Sequence, residues 1–160
     1  MAQLPTDRTI TVSWTKFTSV YDPVMDPLYN SDEAWQNSVY VIGDSMGRPL
    51  YIGKATGKEN PGFGNRYWGD LQAMAAWGTG ARNAVYLGRI KRAPRQWYDN
   101  LERELIARES SSTGGQYPYY NRGHKEASPD ARVRLSHTGD APRFYHLDSS
   151  NDARTTEPTG

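Results

Sequence analysis

Val39-Tyr40-Val41-Ile42-Gly43-Asp44-Ser45-Met46-Gly47-Arg48-Pro49-Leu50-Tyr51-Ile52-Gly53-Lys54-Ala55 is the stretch that decides the fold. Two short apolar runs, Val39 to Gly43 and Pro49 to Gly53, flank a link made of Asp44, Ser45, Met46, Gly47 and Arg48. Asp and Ser side chains bond the backbone of a tight turn, and Gly accepts the positive φ it needs, so the stretch predicts a β-hairpin. Each arm carries one tyrosine, and two adjacent strands can present Tyr40 and Tyr51 on one face.

Outward from the hairpin, Thr9 to Trp14 alternates and is rich in β-branched residues, which predicts a strand. Asp22-Pro23 and Asp26-Pro27 break regular structure, and Ser31 to Trp35 suits a short helix. Residues 56–65 hold Gly57, Pro61, Gly62 and Gly64 and read as a loop. Arg66 to Trp77 reads as a helix stopped by Gly78-Thr79-Gly80, and Asn83 to Ile90 as a third strand. A further helix is expected from about Pro94, with Trp97, Leu101 and Leu105 as its apolar stripe. Its end is expected before Ser110 and the Ser/Gly-rich link to Gly115. Arg132 to Leu135 and Arg143 to Leu147 read as a hairpin around Gly139-Asp140, and residues 149–160 as disordered. The order predicts an α+β domain built on a three-stranded, mainly antiparallel sheet flanked by helices. Residues 1–37 would be an N-terminal extension carrying a strand, 38–125 the core and 126–160 a C-terminal extension.

The 160 residues suffice for one domain with a sizeable core. The absence of cysteine excludes disulfides, a thiol nucleophile and a cysteine-ligated metal. No run of 18 apolar residues and no charged-then-apolar leader occurs, so the expectation is a cytoplasmic protein with no membrane contact. The net charge of +1 is unevenly spread. Residues 1–38 carry 2 basic and 5 acidic groups, residues 39–125 carry 13 and 7, and residues 126–160 carry 4 and 6. A basic middle between acidic flanks fits a polyanionic partner, and equally an ordinary solvated surface.

Five elements in order resemble the GIY-YIG nuclease family: Ser38-Val39-Tyr40, then Tyr51-Ile52-Gly53 with Lys54-Ala55, then Arg66 opening a helix, then Glu102 in Glu102-Arg103-Glu104-Leu105-Ile106, then Tyr120-Asn121. The resemblance covers residues 38–121. Ser38-Val39 stands where the family has Gly-Ile, the 56–65 loop is long, and Asp70 stands where a His or Tyr is frequent, leaving open which group transfers the proton.

The resemblance implies a metal-dependent endonuclease hydrolysing phosphodiester bonds of double-stranded DNA, of a restriction, phage or mobile-element type. Glu102 would hold Mg2+ or Mn2+, since such hard cations take few protein oxygens and complete their shell with water and phosphate. Arg66 would grip the phosphate with its planar fork. Tyr40 and Tyr51 would orient or activate water and contact phosphate, with Lys54 as their cationic neighbour or a phosphate ligand. Asn121 would anchor the chain around the site or orient a ligand. Arg89, Lys91, Arg92, Arg95, Arg122 and Lys125, with Arg82, would contact the DNA backbone. Taken singly, each has a plainer reading: packed strand tyrosines, a solvated or ion-paired glutamate, surface arginines, a turn asparagine. Glu104 and Glu109 are poorer choices than Glu102 for the metal, and His124 and His137 read as surface groups. Two alternatives stand beside the DNA endonuclease: a binding module on the same fold without catalysis, and a nuclease for RNA or for branched or damaged DNA. A homodimer would suit cleavage of both strands of a palindrome.

Overall fold

In the computed structural model, residues 3–17, 37–55, 84–121, 128–148 and 153–154 are described. The hairpin forms where the turn chemistry places it. Strand β2 runs over Ser38–Gly43 and β3 over Pro49–Ala55, paired antiparallel with Tyr40 opposite Gly53 and Ile42 opposite Tyr51. Asp44 closes the turn: its Oδ1 accepts the N–H groups of Met46 and Arg48 at 2.8 and 3.0 Å, and Gly47 takes φ 81°. That angle disfavours any residue with a Cβ.

β1 covers Thr9–Phe17, β4 Ala84–Arg89, β5 Arg134–Gly139 and β6 Ala153–Arg154. All belong to one sheet of order β3-β2-β4-β1-β5-β6. β2 pairs antiparallel with both β3 and β4, but the expected three-stranded sheet flanked by helices is instead a mixed six-stranded sheet with one α-helix among the described residues, an α+β fold. β1 pairs antiparallel with β4, and β5 pairs parallel with β1. The N-terminal strand is therefore interior to the sheet. Its alternation buries Ile10, Val12 and Trp14 on one face, so it continues the core that β4 would otherwise leave uncovered.

The C-terminal region also departs from expectation. Arg134–Gly139 forms no hairpin with Arg143–Leu147. It pairs with β1, and Tyr145–Asp148 forms a 3-10 turn. The assignment of disorder to the last dozen residues is corrected at Ala153–Arg154, which pair in parallel with Ser136 and His137.

Helix α1, Arg95–Ser112, packs across β3 and β2. Pro94 is its N-cap in extended geometry (φ −69°, ψ 157°). The helix runs through Ser110–Ser112, beyond its expected end, because its stop signal lies later. Gly114 takes φ 64°, and the Gly115 N–H bonds the Ser110 carbonyl at 2.8 Å, closing a left-handed C-terminal cap. Leu101, Leu105 and Ile106 are fully buried, against Val39, Val41, Ile52 and Tyr86 in one core. Each such side chain contributes about 1.5–3 kcal/mol. No helix among the described residues is long and apolar enough to cross a membrane.

Buried polar groups lock the helix to the C-terminal strands. Arg108 Nε meets Glu104 Oε1 at 2.8 Å with both side chains nearly covered, Arg108 donates to the Val133 carbonyl, and Glu104 accepts the Asp130 N–H at 3.0 Å. Glu109 Oε1 lies 2.9 Å from His146 Nδ1, and Trp14 Nε1 donates to His137 Nδ1 at 2.9 Å. His137 is thus fully buried, contrary to its surface reading.

Tyr98 is 2% exposed; its hydroxyl donates to the Ile90 carbonyl and accepts the Ile90 N–H. Burial pushes its phenol above the usual 10.0. The unfolded chain therefore loses this proton first, so the phenol's contribution is intact below pH 10 and is lost as pH rises from there through the folded value. The urea midpoint of the wild type should fall more steeply above pH 10 than that of Tyr98→Phe, measured side by side.

Two aromatic rings lie flat across cross-strand glycines. A Cβ on Gly53 would meet the Tyr40 ring at 2.5–2.8 Å, and one on Gly88 would meet Trp14 at 2.8–3.0 Å. Gly53→Ala should therefore cost about 1–3 kcal/mol by overpacking, read as a lowered urea midpoint with an unchanged m-value.

Candidate active site

Alternation along the hairpin sets the geometry. Tyr40, Ile42, Tyr51 and Gly53 share one face of the sheet, and Val39, Val41, Ile52 and Lys54 share the face covered by α1. The Tyr40 and Tyr51 rings lie 6.3 Å apart at 39°. Tyr40 is fully buried over Gly53, while Tyr51 is half-buried. The sequence expectation of two tyrosines on one face agrees with this arrangement.

Lys54 lies on the other face. It is three residues from Tyr51, an odd step on a strand, and its ammonium meets Asp99 Oδ1 of α1 at 2.6 Å. The expected placement of Lys54 as the tyrosines' cationic neighbour is corrected: it belongs to the seam between β3 and the helix. Both partners are about one-third exposed, so water screens the pair.

Glu102 stands one turn after Asp99 on α1 and is 7% exposed. Residues three apart share a helix face, so Lys54, Asp99 and Glu102 fall along one seam. Asp99 is the group that motif reasoning missed, because its contact with Lys54 spans 45 residues and no local pattern signals it. Glu104 is bound to Arg108 and the Asp130 N–H, Glu109 lies against His146, and Glu102 is the third buried carboxylate of α1. Among the described residues no group of three or more His, Asp or Glu forms a metal cage. A single fixed carboxylate suits Mg2+, which keeps several waters and takes further oxygens from a phosphate.

Asn121 is 5% exposed and bonds both backbone groups of Ile52: its Oδ1 accepts the N–H at 2.8 Å and its Nδ2 donates to the carbonyl at 2.8 Å. The preceding Tyr120 N–H bonds the Leu50 carbonyl at 2.8 Å. The end of the chain's 117–121 segment is thereby fastened to the strand that carries Tyr51.

Arg89, Lys91, Arg92 and Arg95 are all exposed around the turn between β4 and α1, where Arg92 has φ 58°. They form one basic rim. Arg66, Asp70, Arg82, Arg122, His124 and Lys125 lie outside the described residues, as do the 56–65 loop and the helix expected at 66–77.

Comparison with protein-family models, with curated proteins and with solved structures returned no match to this chain.

Proposed function

We propose that this chain is a GIY-YIG-type endonuclease that hydrolyses phosphodiester bonds of double-stranded DNA with Mg2+ or Mn2+. The observation that carries the reading is the two-way bond between Asn121 and Ile52, residues 69 apart in sequence. It joins the last element of the motif series to the middle of Tyr51-Ile52-Gly53. Short motifs matched by chance would have no reason to meet. The Tyr40–Tyr51 pair on the antiparallel β3-β2-β4 group adds to it.

Hydrolysis requires a water oxygen to attack phosphorus, the bond to the leaving oxygen to break, and that oxygen to receive a proton. Tyr51, the more accessible of the two rings, would orient the attacking water or a phosphate oxygen, and Tyr40 beneath it would hold its position. Orientation is the larger part of that role. Arg66 would hold the scissile phosphate bidentately. Glu102 would hold the cation, and Lys54, steadied by Asp99, would bring positive charge beside it, both on the helix-covered face of β3 rather than the face of the tyrosines. A bound Mg2+ would supply stabilisation of charge on the phosphate and the leaving oxygen. The rim of Arg89, Lys91, Arg92 and Arg95 would take the DNA backbone.

The test is cleavage of supercoiled plasmid with and without Mg2+, followed by sequencing of the cut ends. Metal-dependent nicking or linearisation is expected. Salt-dependent duplex binding without cleavage across several divalent metals would instead make the chain a binding module.

A further inference from the structure

Strand register gathers cations that are far apart in sequence at one end of the sheet. β4 leaves its ladder at Arg89, opposite Ser13, and the chain then turns into α1 on the side where β1 begins. β5 runs parallel to β1 and starts with Arg134 opposite Thr9, at that same end. Arg8, one residue before β1, holds its guanidinium 5.7 Å over the ring of Trp97, in the turn of α1 that Arg95 opens. Arg8, Arg89, Lys91, Arg92, Arg95 and Arg134 are all exposed. The turn between β4 and α1 is held in place: the Tyr98 hydroxyl bonds both backbone groups of Ile90, and the Ala93 N–H bonds the Ile90 carbonyl at 3.3 Å. The acids that adjoin these residues in sequence are Asp7, which is exposed, Asp99, bound to Lys54, and Asp130, bound to Arg132.

β1 adds hydroxyl groups. Thr9, Thr11 and Ser13 are exposed on the face opposite the buried Ile10 and Val12. That face of the sheet is the one that carries Tyr40 and Tyr51, because Thr15 and Tyr40 both pair with Leu87. Among the described residues the exposed large apolar side chains, Met46 and Tyr119, lie elsewhere. This end of the sheet therefore lacks the apolar centre of a protein interface. Guanidinium, ammonium and small hydroxyl groups are the donors that bond phosphate oxygens.

We propose that this end of the sheet is a docking edge for the phosphate backbone of duplex DNA, to which the N- and C-terminal segments contribute Arg8 and Arg134. Both segments are acidic by count, 2 basic against 5 acidic groups in residues 1–38 and 4 against 6 in residues 126–160, yet their strands bring these two cations to the basic rim. The edge thus extends from the β4–α1 turn across β1 to β5, two strand spacings or roughly 10 Å. The inference rests on the DNA-binding part of the proposed function and not on its cleavage step.

The experiment measures binding of a fluorescently labelled, fully paired duplex in EDTA between 50 and 200 mM salt. The proteins are wild type, Arg8→Gln, Arg134→Gln, the double variant, and Lys16→Gln, which removes an equal charge about 26 Å along β1 from Arg8. Each phosphate contact contributes about 0.9 to the slope of log K against log salt. The double variant should show a slope shallower by about 1.8, so that its affinity falls about tenfold less than that of the wild type across this range. Lys16→Gln should change the slope by less than about 0.3. Arg8→Lys with Arg134→Lys should keep the wild-type slope, which separates loss of charge from any loss of the Arg8–Trp97 contact. A wild-type slope in the double variant, an equal effect of Lys16→Gln, or no duplex binding by the wild type overturns the docking edge. Displacement of the duplex by polyglutamate of matched charge as readily as by unlabelled duplex also overturns it, in favour of an acidic polypeptide. Plasmid cleavage is scored separately: binding without cutting in any metal sinks the nuclease reading and leaves the slopes to decide the edge, whereas cutting with an unchanged slope in the double variant sinks the edge alone.

Discussion

Glu102→Gln should lower Mg2+-dependent plasmid cleavage per folded molecule by on the order of 100-fold or more. The substitution keeps side-chain length and helix preference and removes only the charge that a hard cation requires. Glu104→Gln is the informative companion. Glu104 lies two residues away on the same helix but is bound to Arg108 and the Asp130 N–H, so its substitution should lower stability more than it lowers the rate per folded molecule. If Glu102→Gln cuts as fast as wild type at saturating Mg2+, the metal assignment is wrong.

The second large effect is on stability. Arg108→Met should cost about 3–5 kcal/mol by urea unfolding, because it leaves the covered Glu104 carboxylate without its cation and the Val133 carbonyl without a donor. The double variant Glu104→Leu with Arg108→Met should recover much of that loss, since apolar groups of similar volume replace both charges. Recovery should be incomplete, because the Asp130 N–H then loses its acceptor. A single substitution that costs less than about 1 kcal/mol would mean that water reaches the pair.

What the sequence revealed depended on how far apart the interacting residues lie. The β2–β3 hairpin was legible because Asp44 and Gly47 specify their turn locally. β1 was legible as a strand from its alternation, but its seat between β4 and β5 was not. Its partners Arg89 and Arg134 are distant in sequence, and alternation does not name a neighbour. Gly139-Asp140 imitated a hairpin turn. In the structure Gly139 takes φ 75° beside Trp14, whose carbonyl lies 2.5 Å from the site of a Cβ, so the glycine marks close backbone approach at the end of a parallel strand. His137 could have been read as buried from parity, being two residues from Leu135 on β5. Ser110–Ser112 resembled a link because three serines outweighed the cap signal in Gly114.

The candidate site divides in the same way. The shared face of Tyr40 and Tyr51 and the opposite face of Lys54 are both consequences of strand parity, and only the first was drawn from the sequence. Asp99 belongs to no motif, and its contact with Lys54 spans 45 residues, so only the folded chain brings it forward.

The fastening of Asn121 to Ile52 bears on how copies of this molecule can meet. Among the described residues β3 is the outermost strand on its side of the sheet, and such a strand ordinarily offers unpaired N–H and carbonyl groups to any passing chain. Here the Leu50 carbonyl and both groups of Ile52 are already taken by Tyr120 and Asn121, so the side-chain amide stands in for a seventh strand. A homodimer that extended the sheet across this edge would first have to peel the segment away. Under the proposed function, a dimer would form elsewhere on the molecule, and the strand carrying Tyr51 is guarded against adventitious β-addition and the aggregation that follows from it.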